Sequence, residues 1–266
     1  MELQSLPTVP AGSVAGMIFS LVVAFGLPIG LYLYLKHKKY ARTSSFVAGM
    51  AVFVLFALVL ETLVHSLVFR LTGTAITGSL FLYAVYAGLM AAAFEETGRY
   101  LAMRFVLRHR FDGKNALMYG AGHGGVEAMI LLGLTSINNI LNSFLINSGS
   151  LPELLAGLDE ATAQTALAGL SQLWTAPSYI FFVAGFERIV AICLHIALSV
   201  LVWRAVRDGK ASWYWAAFGG HFAVNFAAVI LANYSIFATE AVVALMTAVV
   251  IWYAARAYKE ASAVEN

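Results

Sequence analysis

The sequence contains little charge and only one cysteine. Charged residues make up 11% of its 266 residues and hydrophobic residues 61%, whereas a soluble domain carries about 25% charged residues. This composition excludes a water-soluble globular protein. With Cys193 as the single cysteine, an intrachain disulfide and a cysteine-based zinc site are also excluded. The sequence has no cluster of basic and aromatic residues of the kind that would indicate binding to nucleic acid.

Long apolar runs are the main feature that is present. Each of them is near the length of about 20 residues that a spanning helix requires, and they lack the alternation of barrel strands. Positive charge follows the first run instead of preceding it, so we expect a retained span and no cleavable signal peptide. We predict an all-α, polytopic membrane helix bundle that forms one integral-membrane domain over residues 1–266. Its seven predicted transmembrane helices are 14–35, 46–69, 79–103, 116–140, 179–203, 212–232 and 235–255.

The placement of lysine and arginine predicts the orientation. Cytoplasmic loops carry an excess of these residues, which predicts an N-terminus outside and a cytoplasmic C-terminus. We expect an integral protein of a bacterial or archaeal cytoplasmic membrane, in contact with the lipid bilayer. All but three of the 16 basic residues fall in four segments on one predicted face: 36–42, 104–114, 204–210 and 256–259.

One long connection, residues 141–178, is predicted on the outer face. Ser150 to Glu153 has the spacing of a capping box, and Pro152 falls early in the same turn. Leucines follow at helical spacing. We therefore predict one or two short interfacial helices, which serve either as a surface cap or as a gate over a substrate path.

Ionisable residues lie inside the predicted spans at nearly one depth. An ionisable group in hydrocarbon costs a few kcal/mol or more, which makes it a candidate functional residue. Four helices deliver such groups to one level, and this predicts a metal or proton-transfer site. Counted from the cytoplasmic ends at about 1.5 Å per residue, the level is about 12–16 Å deep and contains Glu95, Glu96, His123, His195 and His221.

Two further polar residues lie one turn deeper. Glu127 follows His123 by four positions and Asn225 follows His221 by four, so each pair shares a helix face. Glycines cluster in the same layer. Small residues let membrane helices approach closely, although ordinary helix packing explains them equally well.

The three imidazoles suit Zn²⁺ or another divalent metal. Three protein ligands with an open fourth position form the catalytic type of site, in which bound water has a pKa of about 7. We predict His123, His195 and His221 as metal ligands. Glu127 is predicted either as a fourth ligand or as an acceptor for a histidine N–H. For each histidine alone, an interhelical hydrogen bond is the simpler interpretation.

Catalytic roles are predicted for the remaining polar groups. Glu95 or Glu96 is placed to take the proton of the water and hand it to a leaving amine. Arg99 can pair with either glutamate and keep it ionised, and Asn225 can donate a hydrogen bond to a developing oxyanion. A purely structural role stays open for the glutamate pair, for Arg99 and for Asn225.

A second polar group lies nearer the predicted outer face. Glu61 and His65 are four residues apart in the second span, and Glu187 and Arg188 lie in the fifth. We predict an ion pair between Glu61 and Arg188, with either a structural role or a role in a proton path.

Several of these residues form known motifs. Residues 94–99 resemble the EExxR/EExxxR motif of CAAX-type prenyl proteases, of their bacteriocin-processing relatives and of PrsW-like proteases. Residues 221–225 match the HxxxN motif of these proteases, and residues 123–127 lie where they have FxxxH or FxxxE. Arg188 followed by His195 is similar to the third PrsW-like motif. With EExxR, GHGGxEA and later histidine motifs, the chain resembles above all the YhfC family of intramembrane metalloproteases.

The resemblance covers the third to the sixth predicted helix. It implies an intramembrane peptidase whose first-motif glutamate activates water, with Glu127 at the second-motif ligand position and a membrane-embedded or membrane-proximal peptide or protein as substrate. Arginine follows the glutamate pair after two residues, and His123 replaces the usual phenylalanine. A prenylated substrate is therefore not implied, and both a metal and glutamate-activated water alone agree with the motifs.

We predict a metalloprotease that cuts a peptide bond in the cytoplasmic half of the bilayer. The alternative is a proton- or cation-coupled transporter that uses the same buried Glu and His groups. Transporters often show inverted repeats and broken helices that meet at the midplane, whereas this sequence shows no convincing repeat and its predicted site is off-centre. A metal-free scaffold would leave the buried ionisable groups without a purpose.

Overall fold

A computed structural model of the protein describes residues 7–108 and 112–263, apart from the side chain of Leu154; within these residues the chain forms helices and no strand. The all-α prediction is confirmed. Residues 109–111 of the second basic segment lie outside the described residues. The ten described helices are α1 Ala11–Lys38, α2 Thr43–Thr72, α3 Leu80–Leu101, α4 Gly113–Asn147, α5 Leu151–Leu155, α6 Glu160–Leu170, α7 Gln172–Thr175, α8 Tyr179–Asp208, α9 Ala211–Ala232 and α10 Ile236–Ala263.

Six of the described helices are long and apolar enough to cross a membrane, judged by length and composition: α1, α2, α4, α8, α9 and α10. The third predicted span corresponds to α3, whose mean hydropathy is lowered by Glu95 and Glu96. Large apolar side chains such as Phe144 and Leu245 are well exposed, as a lipid-facing surface requires. The count of seven spans and the orientation of the termini stay predictions.

Three π-helical segments interrupt or extend these helices. Phe53–Glu61 lies within α2, Ala128–Gly133 lies within α4, and Ala102–Val106 continues α3. Short π segments are rare and occur frequently at functional sites. One of them begins directly after Glu127 and another three residues after Arg99, next to residues that the sequence singles out.

The described residues fall into two compact units, and the division lies within α1, α4 and α8. The first unit contains residues 7–27 and 128–188, and the second contains residues 28–108, 112–127 and 189–263. A single domain over the whole chain stays a prediction.

The first unit holds the short helices of the long connection. The capping box predicted at Ser150 is wrong: α5 begins at Leu151 with Pro152 in its first turn, but the Ser150 side chain makes no capping hydrogen bond. Its hydroxyl oxygen lies 3.0 Å from that of Ser148 instead. Asp159 caps α6, since its carboxylate accepts the backbone N–H of Thr162 at 3.0 Å. An apolar cluster that includes Met17, Ile146, Leu167 and Leu173 forms the core of this unit.

In the second unit, the first half of α4 packs closely on α2 and α8. A Cβ atom added at Gly122 would collide with the backbone carbonyl of Phe46 on α2, and one added at Gly120 would collide with the backbone at Ile196 on α8. Only glycine permits this approach of backbones. The contact brings His123 on α4 towards α8. In the same unit α9 packs on both α3 and α10.

The polar residues predicted at the outer side divide between the units. Glu61 belongs to the second unit, where its partner is His65 at 3.1 Å. Arg188 belongs to the first unit and pairs with the neighbouring Glu187. The ion pair between Glu61 and Arg188 would join the two units, and it stays a prediction.

Candidate metal centre

Four helices of the second unit bring the predicted ionisable residues into contact. Every member of this cluster is buried except Glu127, which is half-buried. The members are Glu95, Glu96 and Arg99 from α3, His123 and Glu127 from α4, His195 from α8 and His221 from α9.

Three of these residues form an inner group that could hold a metal ion. One ligand atom each from Glu95, His195 and His221 lies within 4.8 Å of the others. Glu95 Oε2 is 3.7 Å from His195 Nδ1, and Glu95 Oε1 is 4.0 Å from His221 Nε2. Ligand bonds of about 2.0–2.2 Å in tetrahedral geometry place ligand atoms about 3.3–3.6 Å apart, so a small contraction would close the group around an ion. Glu95 stands here in place of His123 in the predicted ligand set.

Carboxylates bind the outer nitrogens of both inner imidazoles. His221 Nδ1 lies 2.8 Å from Glu96 Oε1, and His195 Nε2 lies 2.7 Å from Glu127 Oε2. Because a carboxylate only accepts, His221 Nδ1 carries a proton and donates it to Glu96. Arg99 donates to His195 Nδ1, so the proton of His195 lies on Nε2, the nitrogen that contacts Glu127. The lone pairs of His221 Nε2 and His195 Nδ1 then face Glu95. Metal-binding histidines in proteins almost always have such an outer hydrogen bond.

Arg99 fixes the position of His195. Its Nη1 donates to the His195 backbone carbonyl at 3.1 Å, and its Nη2 donates to His195 Nδ1 at 3.1 Å. The same Nη2 lies 3.6 Å from Glu96 Oε1, so the glutamate with which Arg99 pairs is Glu96. An ion bound at His195 Nδ1 would take the place of the Nη2 hydrogen bond, while the bond to the carbonyl would hold Arg99 nearby.

His123 contacts the inner group through Glu95. Its Nε2 lies 2.8 Å from Glu95 Oε2, and its side chain is fully buried. The ring packs edge-on against Phe53, at 5.4 Å between centroids, and stacks on Tyr119 at 6.1 Å. Sequence reasoning missed both aromatic neighbours. Tyr119 lies four residues before His123, and this spacing could have identified it; Phe53 had no comparable signal.

Asn225 stands apart from these contacts. It is half-buried on α9, one turn beyond His221. No hydrogen bond joins its amide to the cluster in the described part of the chain.

Four buried polar atoms around the cluster have no hydrogen-bond partner among the described residues: Glu96 Oε2, Arg99 Nε, Tyr119 Oη and His123 Nδ1. Buried polar atoms are normally satisfied by protein, water or an ion. Such a concentration at one place fits a site that takes up water or a metal together with its bound water. The side chains of Glu95 and Glu127 are 9% and 13% exposed, the largest exposed fractions among the carboxylates of the cluster.

Comparisons with known proteins identify the family of the chain. Residues 22–247 match the model of a family described as "YhfC intramembrane metalloprotease". The chain is also similar to the "Uncharacterized membrane protein YhfC" of Bacillus subtilis (strain 168), with 38% identity over 251 residues, which cover 92% of this chain and 96% of the relative. No solved structure matches. The family match covers most of the chain and includes every residue of the cluster, and the chain therefore belongs to the YhfC intramembrane metalloprotease family.

Proposed function

We propose that this protein hydrolyses a peptide bond of a membrane protein or membrane-proximal peptide, using water activated at the group formed by Glu95, His195 and His221. The observation that supports this proposal most directly is the double layer of contacts: two imidazole nitrogens face one carboxylate, and the opposite nitrogen of each ring meets a second carboxylate. A merely structural cluster would not need imidazole lone pairs that face a common point.

Glu95, His195 and His221 would hold a divalent metal. Zn²⁺ suits this set because nitrogen and carboxylate ligands in a group of three with an open position are typical of catalytic zinc sites. When bound, such an ion lowers the pKa of a water molecule to about 7 and polarises the scissile carbonyl. Glu127 holds the ring of His195, and Glu96 holds the ring of His221. Arg99 also holds His195, and His123 holds Glu95.

Glu95 is the proposed proton acceptor of the reaction. Its Oε2, which accepts the hydrogen bond of His123, would be the oxygen that holds the ion, so Oε1 is left to take a proton from the attacking water. Oε1 then donates this proton to the nitrogen of the leaving amine. The amide of Asn225 donates a hydrogen bond to the oxyanion that develops on the carbonyl. Glu96 is the less suitable acceptor, because its side chain is fully buried, whereas that of Glu95 is 9% exposed and lies next to the unprotonated nitrogens of His195 and His221.

The proposed reaction takes place in the cytoplasmic half of the bilayer. The support is the distance along each helix between the cluster and the basic segments, about 12–16 Å at 1.5 Å per residue. A bound peptide must therefore enter the bilayer or unfold locally at its cytoplasmic boundary before it reaches Glu95.

The experiment compares membranes of cells that produce the wild-type protein with those that produce Glu95→Gln. New peptide N-termini are identified by mass spectrometry of the membrane fraction, and the amounts of the two proteins are matched. We expect a set of termini that appears only with the wild type, because a glutamine cannot accept the proton. Glu153→Gln, which changes an exposed carboxylate of the first unit, is the matched control and should give the wild-type set.

Two outcomes would contradict the proposal. Identical termini with the wild type and Glu95→Gln would show that Glu95 does not take part in hydrolysis. Termini that disappear in Glu95→Gln but persist in protein stripped of metal would support glutamate-activated water and exclude the metal from the reaction.

A further inference from the structure

A second chain of polar side chains joins α2 to α3 outside the metal centre. His65 Nε2 lies 3.1 Å from Glu61 Oε1, and His65 Nδ1 lies 2.8 Å from the hydroxyl oxygen of Tyr86. The ring of Phe69 packs against both His65 and Tyr86, at 5.8 and 5.3 Å between centroids. The reaction proposed above uses none of these side chains.

The π segment Phe53–Glu61 connects this chain with the metal centre. Its first residue, Phe53, packs against the ring of His123. The ring of Phe56 packs closely on Gly98, the residue before Arg99. The segment therefore forms a wall of the centre, and Glu61 is its last residue.

Glu61 is the end of the chain that faces the centre. Its carboxyl group interacts electrostatically with Glu95 and His221. Exposure increases away from that end, since the Glu61 side chain is 11% exposed and the His65 side chain 30%. Tyr86 continues the chain as a half-buried residue. The three side chains thus lead from the buried centre towards the exterior.

After each peptide hydrolysis, one proton must be removed from such a centre. Water adds a hydroxyl to the carbonyl carbon, and its other proton goes through Glu95 to the nitrogen, so the products form as a carboxylic acid and a neutral amine. The acid ionises, since a terminal carboxyl has a pKa of about 3.3–3.7, and the amine is protonated in bulk water, where its pKa is about 7.7–8.0. The proton of the acid returns to Glu95, which must lose it before the next cycle.

We propose that Glu61, His65 and Tyr86 form a proton path between Glu95 and the exterior; this proposal rests on the function proposed above. Glu61 takes the proton from Glu95 through water. In one concerted step, the Glu61 O–H proton passes to His65 Nε2, the His65 Nδ1 proton passes to the Tyr86 oxygen, and the Tyr86 hydroxyl proton passes to external water. Glu61 ends as a carboxylate and His65 and Tyr86 stay neutral, so one proton has crossed the chain. His65 ends with its proton on Nε2 instead of Nδ1, and it returns to the Nδ1–H tautomer by ring rotation and proton exchange with water before the next transfer.

The experiment measures the rate at which one terminus, identified in the comparison of wild type and Glu95→Gln, forms on a synthetic peptide of that sequence in proteoliposomes. Tyr86→Phe removes one hydroxyl and Tyr83→Phe is its matched control on an exposed position of the same helix. His65→Ala is measured with and without added imidazole. We expect Tyr86→Phe and His65→Ala each to lower kcat about tenfold or more. This loss should be smaller than the 10²–10⁴-fold loss that follows removal of a group that transfers the proton to or from the substrate directly.

Imidazole should restore the rate of His65→Ala, because a free imidazole in the cavity can carry the proton in both directions. Tyr83→Phe should keep the wild-type rate, and the metal content should be equal in all variants. Lowered rates without rescue by imidazole and without a changed solvent isotope effect would assign these residues a structural role and overturn the proposal. Unchanged rates in both variants would do the same. Lack of cleavage by the wild type would instead contradict the proposed function, and this path with it.

Discussion

The two compact units differ in the polar groups that connect their helices. In the first unit the Asn147 amide binds both backbone polar groups of Val9, and the Ser20 hydroxyl donates to the Phe181 carbonyl. In the second unit carboxylates, imidazoles and a guanidinium meet in the candidate metal centre. Neutral hydrogen bonds stabilise a fold by about 0.5–1.5 kcal/mol each, whereas burial of a charged group costs several kcal/mol that its partners must offset.

This difference indicates where the protein has a task beyond holding its helices together. In the first unit, hydrogen bonds of serine and asparagine join α1 to α8 and join α4 to Val9, just before α1. In the second unit, close backbone contacts at glycine join α4 to α2 and α8. The buried charged residues of the second unit add a cost of burial beside these contacts, and catalysis is the reason we propose for it.

The largest effect is expected when the second unit loses an inner imidazole. His221→Ala or His195→Ala removes one of the three proposed ligands, and we expect bound metal to fall to background in protein purified without chelator. This loss should exceed the 10–100-fold weakening that follows removal of an outer partner. Elemental analysis of the purified protein measures it. Ser20→Ala, which removes a buried hydroxyl of the first unit, should leave the metal content unchanged. Stoichiometric metal in both histidine variants would show that this group does not hold the ion.

A smaller effect is expected from the outer carboxylates. In Glu127→Gln the amide oxygen can still accept the His195 Nε2–H, but the negative charge is lost. We expect metal affinity to fall about 10–100-fold, measured by competition with a chelating dye. Glu160→Gln, an exposed carboxylate of the first unit, is the control. A loss as complete as that of His221→Ala would make Glu127 a direct ligand, which is the other role predicted from the sequence.

Glycine substitutions should change stability in opposite directions in the two units. Gly122→Ala places a methyl group against the Phe46 carbonyl, and we expect a loss of about 1–3 kcal/mol from overpacking. Gly169 on α6 has open space around its Cβ position, so Gly169→Ala should stabilise this helix by up to about 1 kcal/mol. Unfolding in detergent micelles measures both. Equal changes in the free energy of unfolding would show that close packing does not distinguish Gly122 from Gly169.

Length and hydropathy were sufficient to predict the helices. Predicted runs such as 212–232 and 179–203 correspond to Ala211–Ala232 and Tyr179–Asp208, because about 20 consecutive apolar residues have few other structures in a bilayer. The helix that contains the run 116–140 extends beyond the run. Polar residues lower the hydropathy near its end, but Ser143 donates to the carbonyl of Asn139 within the helix, which continues to Asn147.

The members of the site were easier to predict than their arrangement. Counting residues along each helix grouped Glu95 with the three histidines because depth depends only on the rise per residue. Which side chains face the centre depends on helix rotation, and depth contains no information about rotation. The sequence therefore could not tell that Glu95 joins the inner group and that His123 lies behind it.

The smallest effect is expected at the end of α6 in the first unit. The side chain and backbone N–H of Thr162 bind the Asp159 carboxylate at 2.6 and 3.0 Å and hold the pKa of Asp159 below its ordinary value. Since the folded pKa is lowered, the stabilisation is present above the ordinary pKa of aspartate and is lost as the pH falls through the lowered value. Hydrogen exchange of the Thr162 amide, corrected for its intrinsic pH dependence, should show this loss. In Asp159→Asn the amide still caps the helix, and protection should become independent of pH in this range; a pH dependence that survives in this variant would mean that another group causes it.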